Sequence, residues 1–147
     1  MSKTIILDSG PLGLATNPNA SKISQACLRW VLGQARSGNT IIIPEIIDCE
    51  LRRELLRAKK TLGLERLDKI NSQFLYLPLN TKAMRLAAEV WAVARQNGKP
   101  TASDLALDAD MILIGQCRSL EDPNIVIATT NPKHLIDFVD AKLWIEI

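Results

Sequence analysis

Asp8, Glu50 and Asp110 are the acidic residues whose settings are hardest to read as solvated surface. Asp8 directly follows the short β-branched run of residues 3–7, Lys-Thr-Ile-Ile-Leu. Glu50 falls between Ile46 and Ile47 on a helical wheel, on a largely apolar side, while Asp48 and Arg52 occupy the more polar side. On a helix over residues 104–118, Asp110 has Ala106, Leu107, Leu113, Ile114 and Cys117 as wheel neighbours. An ionised carboxylate in such an apolar stripe is costly unless it is paired or binds a metal. Asp104 and Asp108 lie on the one polar face of that helix, in its first turns, where they can act as cap and dipole partners. Thr129, Thr130 and Asn131 add two hydroxyls and an amide just past another apolar run, and a turn before Pro132 accounts for them equally well. An all-oxygen donor set suits hard cations such as Mg²⁺ or Mn²⁺. Such ions serve phosphoryl chemistry by lowering the pKa of an attacking water and stabilising a leaving oxygen.

Other chemistries lack their residues. His134 is the single histidine, which leaves no His-rich zinc site and little room for a Ser-His-Asp triad; it reads as a structural residue at a helix start. There is no Gly-x-Gly-x-x-Gly and no Walker sequence for a nucleotide cofactor. Cys27, Cys49 and Cys117 are odd in number and fit no zinc spacing, so they read as buried, reduced thiols. Aromatic residues make up 4% of the chain, too few for a platform that stacks bases. The net charge of +2 neither argues for a nucleic-acid partner nor excludes one. Arg52, Arg53, Arg57, Lys59 and Lys60 form one concentrated basic run, which also reads as a solvated helix face.

These groups need a scaffold to gather them. The chain has 147 residues, 47% of them apolar and 23% charged, which fits one globular domain spanning 1–147. No window is apolar enough for a membrane span, and MSKTIILDSG lacks the apolar core of a secretory signal, so a cytoplasmic protein is expected. Residues 3–7, 40–43 and 125–129 read as buried strands, 143–147 as a final strand, and 75–79 as an extended segment or short strand. Residues 9–20, rich in Gly, Pro, Asn and Ser, read as a loop. Helices are expected from Ser21 or Ser24 to about 33, from Pro44 to about 60, over about 64–74, from Asn80 to 97, and from Ser103 or Asp104 to 118. Apolar strands alternating with helices indicate an α/β fold, a three-layer α/β/α sandwich on a mainly parallel sheet of four or five strands. In such sheets the site lies outside the carboxyl ends of the strands, where Asp8 and Thr129–Asn131 fall.

The ordered set of motifs resembles a PIN domain, and within that family the VapC-type toxins of bacterial toxin–antitoxin pairs. Ile5-Ile6-Leu7-Asp8-Ser9-Gly10 is similar to the opening strand and first acid. Ile41 to Leu51 resembles the second strand and the helix carrying the glutamate. Asp110-Met111-Ile112-Leu113-Ile114-Gly115 resembles the Asp-x-x-Ile-Ala-Ala helix, with Gly115 where a small alanine is usual. Ile127-Ala128-Thr129-Thr130-Asn131 resembles the strand and turn near the fourth acid, with a neutral residue at that place. The resemblance implies an Mg²⁺- or Mn²⁺-dependent endoribonuclease with Asp8, Glu50 and Asp110 as catalytic acids. Asp8 and Asp110 would hold the metal, with Glu50, Asp104 and Asn131 as further candidate ligands; the spacing of Asp104 from Gly98 also suits the third acid. Ser9, Thr130, Arg52 and Arg53 are candidates for holding the RNA. A cognate antitoxin inserting a basic side chain into the acidic cleft, and a homodimer, are implied in the same way. The alternative is a non-catalytic PIN fold that binds RNA or protein.

Overall fold

Three runs of β-branched and aliphatic residues are buried on both faces and pair side by side: β1 (Thr4–Leu7), β2 (Thr40–Pro44) and β4 (Ile125–Thr129). Two shorter strands, β3 (Leu75–Leu77) and β5 (Ala141–Leu143), complete a sheet of order β3-β2-β1-β4-β5 in the computed structural model, which describes residues 2–19, 21–98 and 108–147. Every pairing is parallel, with Ile5 opposite both Ile41 and Val126. Continuous apolar strands are what a sheet covered on both faces requires. Among the described residues six helices supply the cover: α1 (Ser9–Thr16), α2 (Lys22–Arg36), α3 (Glu45–Arg57), α4 (Thr61–Gln73), α5 (Thr81–Gln96) and α6 (Ala109–Ser119). The chain moves outward from β1 to β3 through α1–α4, then returns past β1 to β4 through α5 and α6. Right-handed crossovers place those two sets on opposite faces, giving three layers.

The expected fold class is the one observed, and several local expectations are corrected. Residues 9–16 are a helix, not a loop. Pro11 sits in the first turn, where no intrahelical amide is needed, and the Asp8 carboxylate accepts a hydrogen bond from the Ser9 N–H at 2.7 Å. The last strand ends at Leu143 rather than running to the C-terminus. Trp144 then turns inward and packs at 5.6 Å against Trp30. Helix α6 begins at Ala109, one residue past Asp108, which caps it. Helix α4 starts at Thr61 and α2 runs to Arg36, each a turn longer than expected.

The close fit of α5 on α6 explains Gly115. A Cβ there would lie 2.3 Å from the Ala83 carbonyl oxygen. Next to it, the fully buried Gln116 joins three elements. Its Oε1 accepts from the Ile46 N–H at 3.2 Å and its Nε2 donates to the Leu77 carbonyl at 2.9 Å. Among the described residues no helix is long and apolar enough to cross a membrane.

Candidate functional site

The sheet order reverses direction at β1, so the carboxyl ends of β1 and β4 flank the switch point where doubly wound sheets bind their ligands. Asp8 leaves the end of β1 and Thr129 closes β4. The Thr129 hydroxyl donates to Asp8 Oδ2 at 2.8 Å and accepts from the Asn131 N–H at 3.0 Å. Both oxygens of Asp8 therefore have a fixed partner, Ser9 N–H on one and Thr129 on the other, and the carboxylate is held in one orientation.

Asp110 lies in the first turn of α6, half-buried, directly behind the cap Asp108. Asp108 is itself buried and accepts from the Asp110 and Met111 N–H groups at 3.1 and 3.3 Å. Asp108 is thus a buried cap rather than a solvated face. Burial and the negative charges of Asp8, Asp108 and Glu50 hold the Asp110 carboxyl above the usual aspartate range; His134 acts in the other direction. Asp8, Glu50 and Asp110 are 42 and 60 residues apart in sequence and still share one electrostatic environment. The positive ends of α1 and α6 sit at Asp8 and Asp110 and offset part of the repulsion.

His134 is the residue that reasoning from sequence placed elsewhere. It ends a 3₁₀ turn, Pro132–His134, and its Nδ1 stands 3.6 Å from Asp110 Oδ2. A lone histidine after a strand carries no signal of its own; only the fold brings it to the first turn of α6. Asn131 turns its side-chain oxygen back to cap that 3₁₀ turn, accepting from the Lys133 N–H at 3.4 Å. Thr130 is exposed and lies against Gly10, where a Cβ would meet its hydroxyl at 2.3 Å, so α1 and the β4 turn are in contact. Ser9 opens α1 beside Asp8. Asp104 lies outside the described residues.

Helix α3 carries a second set of carboxylates with a different character. Asp48, expected on the solvated side, is buried because α4 and β3 pack there. It accepts from Arg52 at 3.0 and 3.1 Å and from Asn71 at 2.7 Å, and Arg52 also reaches Asp68 at 2.7 Å. The Arg52 guanidinium, a candidate for holding the RNA, is paired with two acids in the fold. Tyr76, half-buried and facing Asp48 and Glu45, has its hydroxyl pushed up to about 12 by desolvation and those two acids. Arg57 pairs with Glu54 at 2.8 Å. Of the basic run, Arg53 is exposed on α3, and Lys59 and Lys60 line a groove of about 620 Å³ with Leu51, Leu55 and Leu62. Cys27 and Cys117 are buried with thiols pushed up to about 12 by desolvation, whereas Cys49 is exposed, correcting the expectation of three buried thiols.

Among the described residues, no three acidic, imidazole or thiol side chains stand in a ready metal-binding group. The donors nevertheless fit a hard cation. Mg²⁺ keeps several waters and takes only one or two protein carboxylates plus substrate phosphates. Asp8 and Asp110, with Thr129 behind them, offer that kind of partial set.

No family model and no curated protein matches the sequence. The fold is matched over nearly its whole length by solved structures. VapBC2 from Rickettsia felis, bound to a DNA fragment from their promoter, aligns with a TM-score of 0.73 at 18% identity, over 96% of this chain and 98% of that one. FitAcB from Neisseria gonorrhoeae aligns at 0.73 and 18%, over 97% and 99%. VapBC from Salmonella typhimurium, also bound to DNA, aligns at 0.68 and 21%, over 98% and 99%.

Proposed function

We propose that this protein, whose fold is the PIN-like α/β/α sandwich shared with those VapBC and FitAcB structures, is a metal-dependent endoribonuclease and the toxin of a type II toxin–antitoxin pair. The observation that carries the reading is the meeting of Asp8, Glu50 and Asp110 at the carboxyl end of the sheet, where burial first and then the charges of Asp8, Asp108 and Glu50 raise the Asp110 carboxyl. Such an accumulation of negative charge is stabilised by a bound cation. Mg²⁺ or Mn²⁺ held by Asp8 and Asp110 would supply an activated water and charge stabilisation at the scissile phosphate.

The chain's own groups have separable tasks. Thr129 and the Ser9 N–H fix the Asp8 carboxylate. The first turn of α6 presents Asp110. Glu50, on α3, acts electrostatically on Asp110 and would orient a water. Thr130 and Ser9 border the site at the α1 contact, and Arg53 on α3 with Lys59 and Lys60 in the turn before α4 would offer charge for an RNA backbone. Such contacts would make binding fall with salt. The VapBC neighbours support an antitoxin as partner, which would present a basic side chain to the acids. A homodimer acting in the cytoplasm belongs to the same reading.

A second reading has an observation of its own. Asn131 is neutral and spends its side chain on a cap, which favours a PIN-like module that binds RNA or protein without cutting. One assay separates the two: a mixed RNA pool with Mg²⁺ or Mn²⁺, cut by wild type, Asp8→Asn and Asp110→Asn. Loss of at least about a hundredfold in rate is expected in both variants. If only Asp8→Asn loses cutting, Asp104 takes the place of Asp110. Clean wild type that binds metal and cuts nothing points to the binding module.

A further inference from the structure

We propose that the outward face of α2 is a surface for a nucleic-acid backbone, on which Lys22, Arg29 and Arg36 hold the phosphates of an RNA strand. The inference rests on the reading of RNA as the partner and deepens it by naming where the strand lies away from the acids.

Residues 9–44 contain no aspartate and no glutamate, and their only charged side chains, Lys22, Arg29 and Arg36, are cationic and all on α2. Each is seven residues on from the last, close to two helical turns, so the three stand in one row about 21 Å long. All three are exposed, and among the described residues no carboxylate pairs with them. Gln25 and Gly33 fall in the same row. The opposite side of the helix belongs to the fold, with Cys27 and Val31 fully buried where α2 packs on α1 and β2.

Two members of the row work against the helix itself. Lys22 is in the first turn, at the positive end of the helix dipole, where a cation is unfavourable. Gly33 is in the helix interior, where glycine is disfavoured more than any residue but proline. Packing does not ask for it, since a Cβ there would meet nothing within 4 Å. Local rules broken on an outward face, with no return in the fold, mark a functional surface. A glycine between Arg29 and Arg36 leaves the helix flat and lets a strand backbone come close. The row has no aromatic or large aliphatic side chain of the kind that anchors a protein partner. The apolar side of α2 is buried and not free to enter a lipid surface. Spaced cations on a flat face suit a polyanion held by its phosphates. The row also continues the basic run, because Asn17, Pro18 and Asn19, just before α2, line the groove that holds Lys59 and Lys60.

The test uses full-length protein carrying Asp8→Asn, so that the RNA stays whole, titrated into a labelled single-stranded RNA and followed by anisotropy over a range of salt. Lys22→Gln, Arg29→Gln and Arg36→Gln together should weaken binding at least about tenfold. They should also lower the slope of log affinity against log salt by about 2, since each phosphate contact contributes about 0.7. Lys69→Gln, Arg85→Gln and Lys142→Gln remove the same charge from exposed positions on other elements and should weaken binding less than about threefold. Gly33→Leu, at a position with open space around it, should keep the fold and weaken binding at least about threefold by holding the strand off the cations. Equal losses in the two triple variants, or an unchanged salt slope in the α2 variant, would overturn the proposal. RNA affinity that survives the α2 changes while capture of polyglutamate is lost would overturn it in favour of an acidic protein partner. RNA binding that depends on the row, in a wild type that cuts no RNA, would support the surface and remove the nuclease; cutting with no dependence on the row would do the reverse.

Discussion

Helix α3 divides two groups of carboxylates that are alike in composition and unlike in what faces them. On the α4 and β3 side, Asp48 is buried against Arg52 and Asn71, and Arg52 passes the contact on to Asp68. On the β1 and α6 side, Asp8, Asp108 and Glu50 all act on the half-buried Asp110, and His134 acts against them. The first group is bridged by Arg52 and works as a clamp between helices. The second gathers its charge around the half-buried Asp110 at the carboxyl end of the sheet. A carboxylate cluster thus signals chemistry through what faces it more than through the acids it contains.

The clamp should fail first when the contrast is broken. Asp48→Ala leaves Arg52 and Asn71 without their shared acceptor in a half-buried setting, and a loss of about 2–3 kcal/mol in urea unfolding is expected. The acidic site should respond in the opposite direction. Its Asp110 carboxyl is raised, so the folded state holds that proton more tightly than the unfolded chain does. The stabilising contribution is complete below the unfolded pKa and is lost as pH rises through the folded one. Asp110→Asn should therefore gain on wild type in melting temperature between about pH 4 and about pH 7, measured without added metal. A constant difference across that range would show that the repulsion is already relieved. The smallest effect is a label. Cys49 lies between Asp48 and Glu50, and it alone of the three thiols is exposed. One fast equivalent of maleimide is expected in the folded protein, with Cys27 and Cys117 reacting only on unfolding.

The strands were legible because buried parallel strands are written as unbroken β-branched runs, and 3–7, 40–43 and 125–129 are such runs. Helix α1 was not, because Gly10, Pro11 and Gly13 look like punctuation when only the local sequence is weighed. Gly10 is small because Thr130 lies against it, and Pro11 is harmless in a first turn. The acids at 8, 50 and 110 stood out through their apolar neighbours. The roles of Asp48 and Arg52 did not, since the wheel showed a polar side and could not show that α4 would cover it. His134 was missed for the same reason: its significance is a tertiary distance.

Gln116 gives the two acid-bearing helices a common fate. Its amide spans from the first residues of α3 to the end of β3 while anchored in α6. If α6 lifts away, a backbone N–H of α3 and a strand carbonyl lose their partners in a dry interior. That cost discourages either helix from opening alone. Asp110 and Glu50 are thereby placed in one cooperative unit, so that the site is either assembled or dismantled as a whole.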